Sequence, residues 1–530
     1  MGAKNEMSER DKADSFVEFL VVLAAALYVF LLVFKLPFTP FLNEVDHHMF
    51  LYEGMRLLDG DTMYRDFFQF TFPGSQTWYW LMFSIFGLKY WILPATIVAI
   101  ATASAWICVR VSRAVIGGGF FVLPTVFFIF FGFRWNGLDG THRMFSPVFL
   151  MLAVFVLLKG TDAVRLVFAG IFCAVASFFT QQRGVFVVAT IAVFLIVEGF
   201  YSGRKRRSII GSLSALGVSF VVTLTALCSY FVISAGVANF CAATIEYPAK
   251  YYHYAVYNNF GILALDLKSS LNISDFSSAL TAVDSLFYLF VIPVAYLVFW
   301  LLFFVKRKTH EWTFWRPIFL IALVGTSLTF TITAPNTSRL FQIAMPGLIV
   351  FTWLIDYAKK TSKGSPLATQ TARAVAALFF LLTIIQVIRV QTNPYQMLET
   401  PSGILAYNPS PIIDKRYKWL MERTKPGDYV FESYQPYIYF PLLLRNPTKY
   451  GQIWDSDYTR PEHVTETIAD LEARRPQYIL WNNDYNKPSA MRTAGDHTAP
   501  LADYLQQNYK PAGDIIENSE GHIQIWKHTN

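Results

Sequence analysis

Charge is scarce in this chain. Asp, Glu, Lys and Arg make up 15% of its 530 residues, against about 25% in an ordinary soluble chain. With 54% hydrophobic residues and 49 Phe, the apolar content exceeds what one soluble core would bury. Cysteine is scarcer still. The four are Cys108, Cys173, Cys228 and Cys241; none lies in the polar C-terminal stretch, which must fold without disulfides. The chain has no phosphate loop and no dinucleotide fingerprint, so nothing implies a nucleotide cofactor. It has no histidine pair at helical i, i+4 spacing, which removes the strongest metal signature. No internal repeat and no low-complexity segment is present. The first apolar block, Phe16 to Phe34, lacks a clear small-residue cleavage site and is too long for a signal-peptide core, which predicts a retained helix.

What is present comes in blocks. A bilayer core is crossed by about 20 apolar residues in helical form, and such blocks lie at 15–35, 90–109, 117–133, 145–159, 166–181, 185–201, 208–234, 281–305, 317–333, 340–357 and 373–390. The expected fold class is an α-helical polytopic membrane protein with about eleven spanning helices and a C-terminal soluble α/β domain. The formal charge of +7 is not a nucleic-acid signature, because the basic residues sit in short runs between apolar blocks. Arg204 to Arg207, Lys306 to Lys308, and Lys359, Lys360 and Lys363 form three such loops. Arg110 with Arg113, and Lys159 with Arg165, mark two more. All five fall on the side that holds Lys4, Arg10 and Lys12, and the positive-inside rule makes that side cytoplasmic. The C-terminus is then outside. The expected domains are a membrane domain over 1–390, which includes an outer loop at 36–89, and an extracytoplasmic domain over 391–530.

Within the outer loop, the apolar spacing of Met49, Phe50, Met55, Leu57 and Leu58 predicts a helix from His47 to Leu58, ended by Asp59-Gly60. Trp78 to Phe86 predicts a second. Both read as helices lying in the membrane interface, where Trp and Tyr are favoured. In the tail, Asp414 to Arg423, Pro461 to Arg474 and Leu501 to Asn508 read as helices. Tyr429 to Glu432, Tyr478 to Trp481 and the segments around Ile515 and Ile523 read as strands.

Glu44 and Asp46 directly follow the first span. In extended backbone, residues i and i+2 project to one face, so this pair can act as a base, orient a hydroxyl or hold a divalent cation; solvated loop carboxylates give the same pattern. Asp59, Asp61 and Asp66 read as turn and capping residues. Asp139 precedes a glycine, as in an Asp-Gly turn. Arg183 and Arg339 stand at outer helix junctions, where a guanidinium can bind phosphate bidentately or snorkel at the interface. Lys250 with Tyr247, Tyr251, Tyr252, Tyr254 and Tyr257 matches a sugar- or lipid-contacting cluster and an interfacial aromatic belt equally well.

The order Glu44-Val45-Asp46, helix to Leu58, Gly60 to Phe67 (GDTMYRDF), Pro73-Gly74 and Trp78 to Phe86 resembles the first external loop of the GT-C superfamily, the polytopic glycosyltransferases that use polyprenyl-phosphate sugars. The overall plan is similar to their protein-mannosyltransferase-like and aminoarabinose-transferase-like branches. The pattern covers about the first 190 residues, and beyond them the likeness rests on topology. The resemblance implies Asp46 as catalytic base, Glu44 as its partner and Asp139 as the second acidic residue. It implies Arg339 and Arg183 as cations for the phosphate, although the turn at Arg339 lacks the His or Asp motif common in related proteins. His47, His142, Arg143 and Tyr64 are further candidates for substrate contact. The expected partners are a polyprenyl-phosphate-linked sugar, membrane lipid and a glycan, lipid or protein acceptor, with no nucleic acid. No cofactor is certain and no residue is assigned as a metal ligand; the Glu44, Asp46, His47 and His48 run leaves a divalent cation open. The expected location is a bacterial inner membrane with the N-terminus cytoplasmic and the tail periplasmic or extracellular. The rival reading is a lipid-linked-sugar transporter or flippase. Transporters commonly carry ionisable residues at the bilayer midplane and paired repeats, whereas here the acids sit at the outer ends of spans.

Overall fold

A computed structural model describes residues 2–255, 258–361, 366–518 and 521–529; Tyr257 and Lys363 lie outside them. The chain forms two compact units, each discontinuous in sequence. One comprises Met1–Val33, Ala95–Cys228 and Phe260–Thr392, and the other Phe34–Pro94, Ser229–Asn259 and Asn393–Asn530. The outer loop, placed by sequence with the membrane domain, therefore clusters with the tail.

The first unit is helical and integral to a membrane. Asp11–Val33, Ile92–Arg113, Gln181–Tyr201, Arg206–Ala235 and Ser278–Lys306 are long and apolar enough to cross a bilayer. Gly118–Gly132, His142–Leu158, Ala163–Phe179 and Phe380–Thr392 are shorter apolar helical segments, and Trp312–Thr329 and Ala344–Thr361 are helices of 18 residues. Buried carboxylates pair with basic residues at helix ends. Glu198 accepts from Arg316 Nε at 2.5 Å and from Thr161 Oγ1 at 2.9 Å, and Glu18 pairs with Arg110 at 2.5 Å. Such pairs satisfy charges that would otherwise be desolvated alone.

The second unit contains a four-stranded sheet in the order Val430–Glu432, Tyr478–Asn482, Gly521–His528, Tyr509–Asn518. The first pair is parallel and the rest antiparallel. Helices Pro461–Arg474 and Ala499–Asn508 contribute Val464, Leu471, Leu501 and Leu505 to its core, with Phe431, Ile479 and Trp481 from the sheet. A hairpin of Gln396–Thr400 with Gly403–Tyr407 precedes it. The outer loop joins this hairpin: Leu42 N–H donates to the Ala406 carbonyl at 2.8 Å.

Both loop helices form, at His47–Leu58 and Gly74–Phe86. The first does not lie on a surface. His47, His48 and every residue from Phe50 to Arg56 are buried, because the tail and the second loop helix cover it. Gly54 permits that approach: a Cβ there would stand 2.7 Å from Tyr79 Cβ. The second helix keeps exposed apolar residues, among them Leu81, Ile85 and Phe86, in keeping with an interfacial position.

Candidate functional site

The Glu44–Asp46 segment is fixed from its N-terminal side. The Glu44 carboxylate accepts from Arg416 Nη2 and from the Tyr417 hydroxyl at 2.6 Å. Arg416 is 1% exposed and also faces Glu432, 3.6 Å from its other terminal nitrogen. The rings of Tyr417 and Tyr437 lie 5.4 and 5.7 Å from the guanidinium, within cation–π range. Glu44 is thus a tether to the tail. The backbone then bends, and Asp46 is already helical at φ −48° and ψ −25°. The extended geometry that would aim both carboxylates together is absent. Asp46 stands at the N-cap position of the first loop helix, half-buried and without a side-chain cap bond.

The neighbouring histidines bond to backbone carbonyls and to a tyrosine. His47 Nε2 lies 2.8 Å from the Asn43 carbonyl. His48 bonds the Tyr437 carbonyl at 3.1 Å and the Tyr90 hydroxyl at 2.8 Å, and burial holds it well below the usual histidine range. Among the described residues no group of three or more His, Cys, Asp or Glu is placed to hold an ion. Tyr64 is buried at φ +71°, and its hydroxyl donates to the Thr71 carbonyl at 2.8 Å. This bond pins the turn. Asp66 accepts from Thr62 N–H at 2.7 Å, as a turn residue should. Asp61 instead receives the buried Arg56 at 2.7 Å.

Within the helical unit, the remaining candidates gather. Asp139 accepts from the backbone N–H and hydroxyl of Thr141, both at 3.0 Å, and faces Arg143 at 3.7 Å. Arg183 is 6% exposed and so is not a snorkelling residue. It donates to the Arg143 carbonyl at 2.8 Å, Ser146 Oγ at 3.0 Å and Gln342 Oε1 at 3.0 Å. Arg339 donates to the Ala334 carbonyl at 3.1 Å and is the third residue of a short helix, Thr337–Gln342, capped by Asn336. Arg183 lies within electrostatic reach of Arg143, Arg339 and Asp139. The His142 carbonyl accepts from Thr180 Oγ1 at 3.1 Å. Three guanidiniums and one carboxylate, drawn from three separate turns, thus share one neighbourhood.

The sequence did not signal a cleft beside the first loop helix, lined by residues that include Met49, Glu53, Gln69, Tyr247, Tyr458 and His463. Glu53 accepts from Gln69 Nε2 at 2.9 and 3.0 Å and from Gln76 Nε2 at 2.8 Å. Burial pushes its carboxyl up to about 7 against the pull of both amides. Tyr247 donates to the Tyr458 carbonyl at 2.6 Å. Burial raises the Tyr458 hydroxyl, and the nearby charges of Asp46 and Glu53 add to the rise. His463 stacks on Tyr450 at 4.1 Å and is lowered by burial to about 3. Of the tyrosine cluster seen in the sequence, Tyr247, Tyr251 and Tyr252 pack here against Tyr458 and Trp454.

This architecture is that of known membrane transferases. ArnT from Cupriavidus metallidurans, bound to undecaprenyl phosphate, is similar with a TM-score of 0.58 and 10% identity, over 98% of this chain and 99% of that one. The oligosaccharyltransferase of Archaeoglobus fulgidus in its apo form is similar with a TM-score of 0.52 and 12% identity, over 93% of this chain and 73% of that one. The same archaeal protein, AglB, in complex with an inhibitory peptide and a dolichol-phosphate has a TM-score of 0.51 and 13% identity, over 94% and 73%. No protein-family model matches the chain, and no curated protein sequence does. At these identities the likeness is one of fold: the chain has the GT-C fold of polytopic membrane glycosyltransferases.

Proposed function

We propose that the chain is a membrane glycosyltransferase that moves a sugar from a polyprenyl-phosphate donor to an acceptor hydroxyl at the outer face of the membrane. The observation that carries this reading is the placement of Asp46. It stands half-buried at a helix N-terminus, on a segment tethered through Glu44 to Arg416, in a GT-C fold. Asp46 takes the proton of the acceptor hydroxyl. The hydroxyl oxygen bonds to the anomeric carbon as the bond from that carbon to the phosphate oxygen breaks, with inversion, and prenyl phosphate leaves. Arg339, Arg183 and Arg143 supply the positive charge that a phosphate group requires, and Asp139 orients Arg143. Glu44 acts by positioning Asp46 and does not share its proton.

The eleven helices cross the membrane with the N-terminus cytoplasmic and the tail periplasmic or extracellular, in a bacterial inner membrane. The test uses purified protein in nanodiscs with radiolabelled polyprenyl-phosphate sugars. Release of prenyl phosphate by the parent, and its loss in Asp46→Asn that still folds, is the expected result. Near-normal release by Asp46→Asn would remove the base assignment, and transbilayer movement of uncleaved donor by the parent would favour transport.

A further inference from the structure

The short helix Thr337–Gln342 carries Arg339 at its third position and ends at Gln342, whose amide oxygen accepts from Arg183 at 3.0 Å. One rod of six residues thus sets two of the three guanidiniums that serve the donor phosphate in the proposed mechanism. Its own hydrogen bonds do not hold it. Isolated helices shorter than about 12 residues are marginal, and the first N–H groups of any helix lack intrahelical partners. Side chains supply those partners here. Asn336 accepts from the Arg339 N–H at 2.9 Å. One carboxylate oxygen of Asp266 accepts both the Thr337 N–H at 2.8 Å and the Thr337 hydroxyl at 2.6 Å. Thr337 is buried. Asp266 lies on the helix Gly261–Ser270, which packs against the next, Phe276–Leu286. That second helix is pinned in turn: its buried Asp284 accepts from Asn136 Nδ2 at 2.8 Å, in the turn that leads to Asp139.

We propose that Asp266 is a positioning residue: by holding Thr337 it fixes the helix that sets Arg339 and Arg183, and so governs affinity for the phosphate of the prenyl donor. The inference rests on the glycosyltransferase reading and deepens it. A carboxylate at this place can work by its charge, balancing the cations, or by its geometry, as an acceptor for two donors. Its partners decide between them. Both bonds of Asp266 come from neutral groups of Thr337, and among the described residues no Lys or Arg pairs with it. An Asn amide oxygen accepts from the same two donors, and Asn and Asp serve almost equally where side chains cap helix N-termini. Removing the acceptor strands a buried N–H and a buried hydroxyl. The helix relieves that by shifting, and the guanidiniums shift with it. Bidentate contact between guanidinium and phosphate depends on geometry as well as charge, so a small displacement of the rod is felt at the ligand.

The test measures equilibrium binding of radiolabelled farnesyl phosphate to the full chain in nanodiscs, with farnesol as the uncharged control, empty nanodiscs subtracted and no sugar donor present. The parent should bind the phosphate more tightly than the alcohol. Asp266→Ala should weaken phosphate binding about tenfold or more, whereas Asp266→Asn should stay within about threefold of the parent. Thr337→Val removes only the hydroxyl; it should show a smaller loss, and it takes the place of Asp266→Ala if that chain does not fold, as judged by thermal melt. In transfer assays, KM for the polyprenyl-phosphate sugar should rise in Asp266→Ala and return in Asp266→Asn. The inference is overturned if the parent does not prefer the phosphate, if Asp266→Asn falls as far as Asp266→Ala, or if the folded Ala or Val variant melts lower but binds as the parent does. Because binding is read without sugar, the outcome separates from the reading beneath it. Phosphate binding that depends on Asp266, with no release of prenyl phosphate from sugar donors, would remove the transferase reading. Release by a parent whose affinity does not depend on Asp266 would remove only this inference.

Discussion

Replacing Arg416 with Met removes one guanidinium and leaves two carboxylates. Glu432 is 1% exposed and would keep a buried charge without its cation, whereas Glu44 is 20% exposed and can recover some water. Removing one partner of a buried ion pair destabilises by about 3–5 kcal/mol, a large share of the roughly 5–15 kcal/mol that holds a domain together. Arg416→Lys should recover little, because a lysine cannot reach both carboxylates with a planar fork. Glu432→Gln in the Arg416→Met background should recover part of the loss, since it removes the stranded charge. The assay is the unfolding midpoint of the detergent-purified parent, Arg416→Met, Glu432→Gln and their double variant, read as a double-mutant cycle, with Arg416→Lys measured beside them and transfer activity recorded for each. Activity should fall in Arg416→Met below the melting range, because Asp46 lies two residues from the released tether. A melt indistinguishable from the parent, or full rescue by lysine, would refute the anchor.

Three further outcomes follow from the same geometry. Glu53 has a folded pKa of about 7 against an ordinary 4.5. Stability from this group is full below the unfolded value and is lost as pH rises through about 7, by about 3 kcal/mol in all; the unfolding midpoint should be lower at pH 8 than at pH 5, and the profile flatter in Glu53→Gln. Gly54→Ala should destabilise by about 1–3 kcal/mol through overpacking and so lower the midpoint, since its Cβ meets the Tyr79 Cβ; an unchanged melt would show that the two loop helices can part. Arg183→Lys should destabilise by about 2 kcal/mol, because a single ammonium cannot reach the Arg143 carbonyl, Ser146 and Gln342 together; an equal melt would show that these bonds carry no stability.

The elements were legible wherever periodicity or punctuation was strong. Pro461 at the first helical position and the spacing of Val464, Leu471 and their neighbours marked Pro461–Arg474, and Asp59-Gly60 marked the end of the first loop helix. The hairpin at 396–407 escaped because its first strand exposes all but Leu398 and Thr400, which leaves no alternating pattern. The burial of the first loop helix was hidden for a different reason. Its sequence reads as amphipathic, but Arg56 is buried through Asp61 and the Thr448 carbonyl, so its charge does not mark a solvent face. Asp46 and the arginines stood out in the sequence as candidates. The tether of Glu44 was not, because Arg416 is 372 residues away and sits in a run of ordinary basic residues. Glu53 was overlooked for a similar reason: its partners Gln69 and Gln76 are neutral amides whose role appears only when the two loop helices pack.

The most direct measurement is prenyl phosphate release from radiolabelled polyprenyl-phosphate sugars by parent and Asp46→Asn, both reconstituted in nanodiscs and matched for folding. The account predicts release coupled to a glycosylated product for the parent and loss of both in the variant. Equal turnover by the two proteins would contradict it.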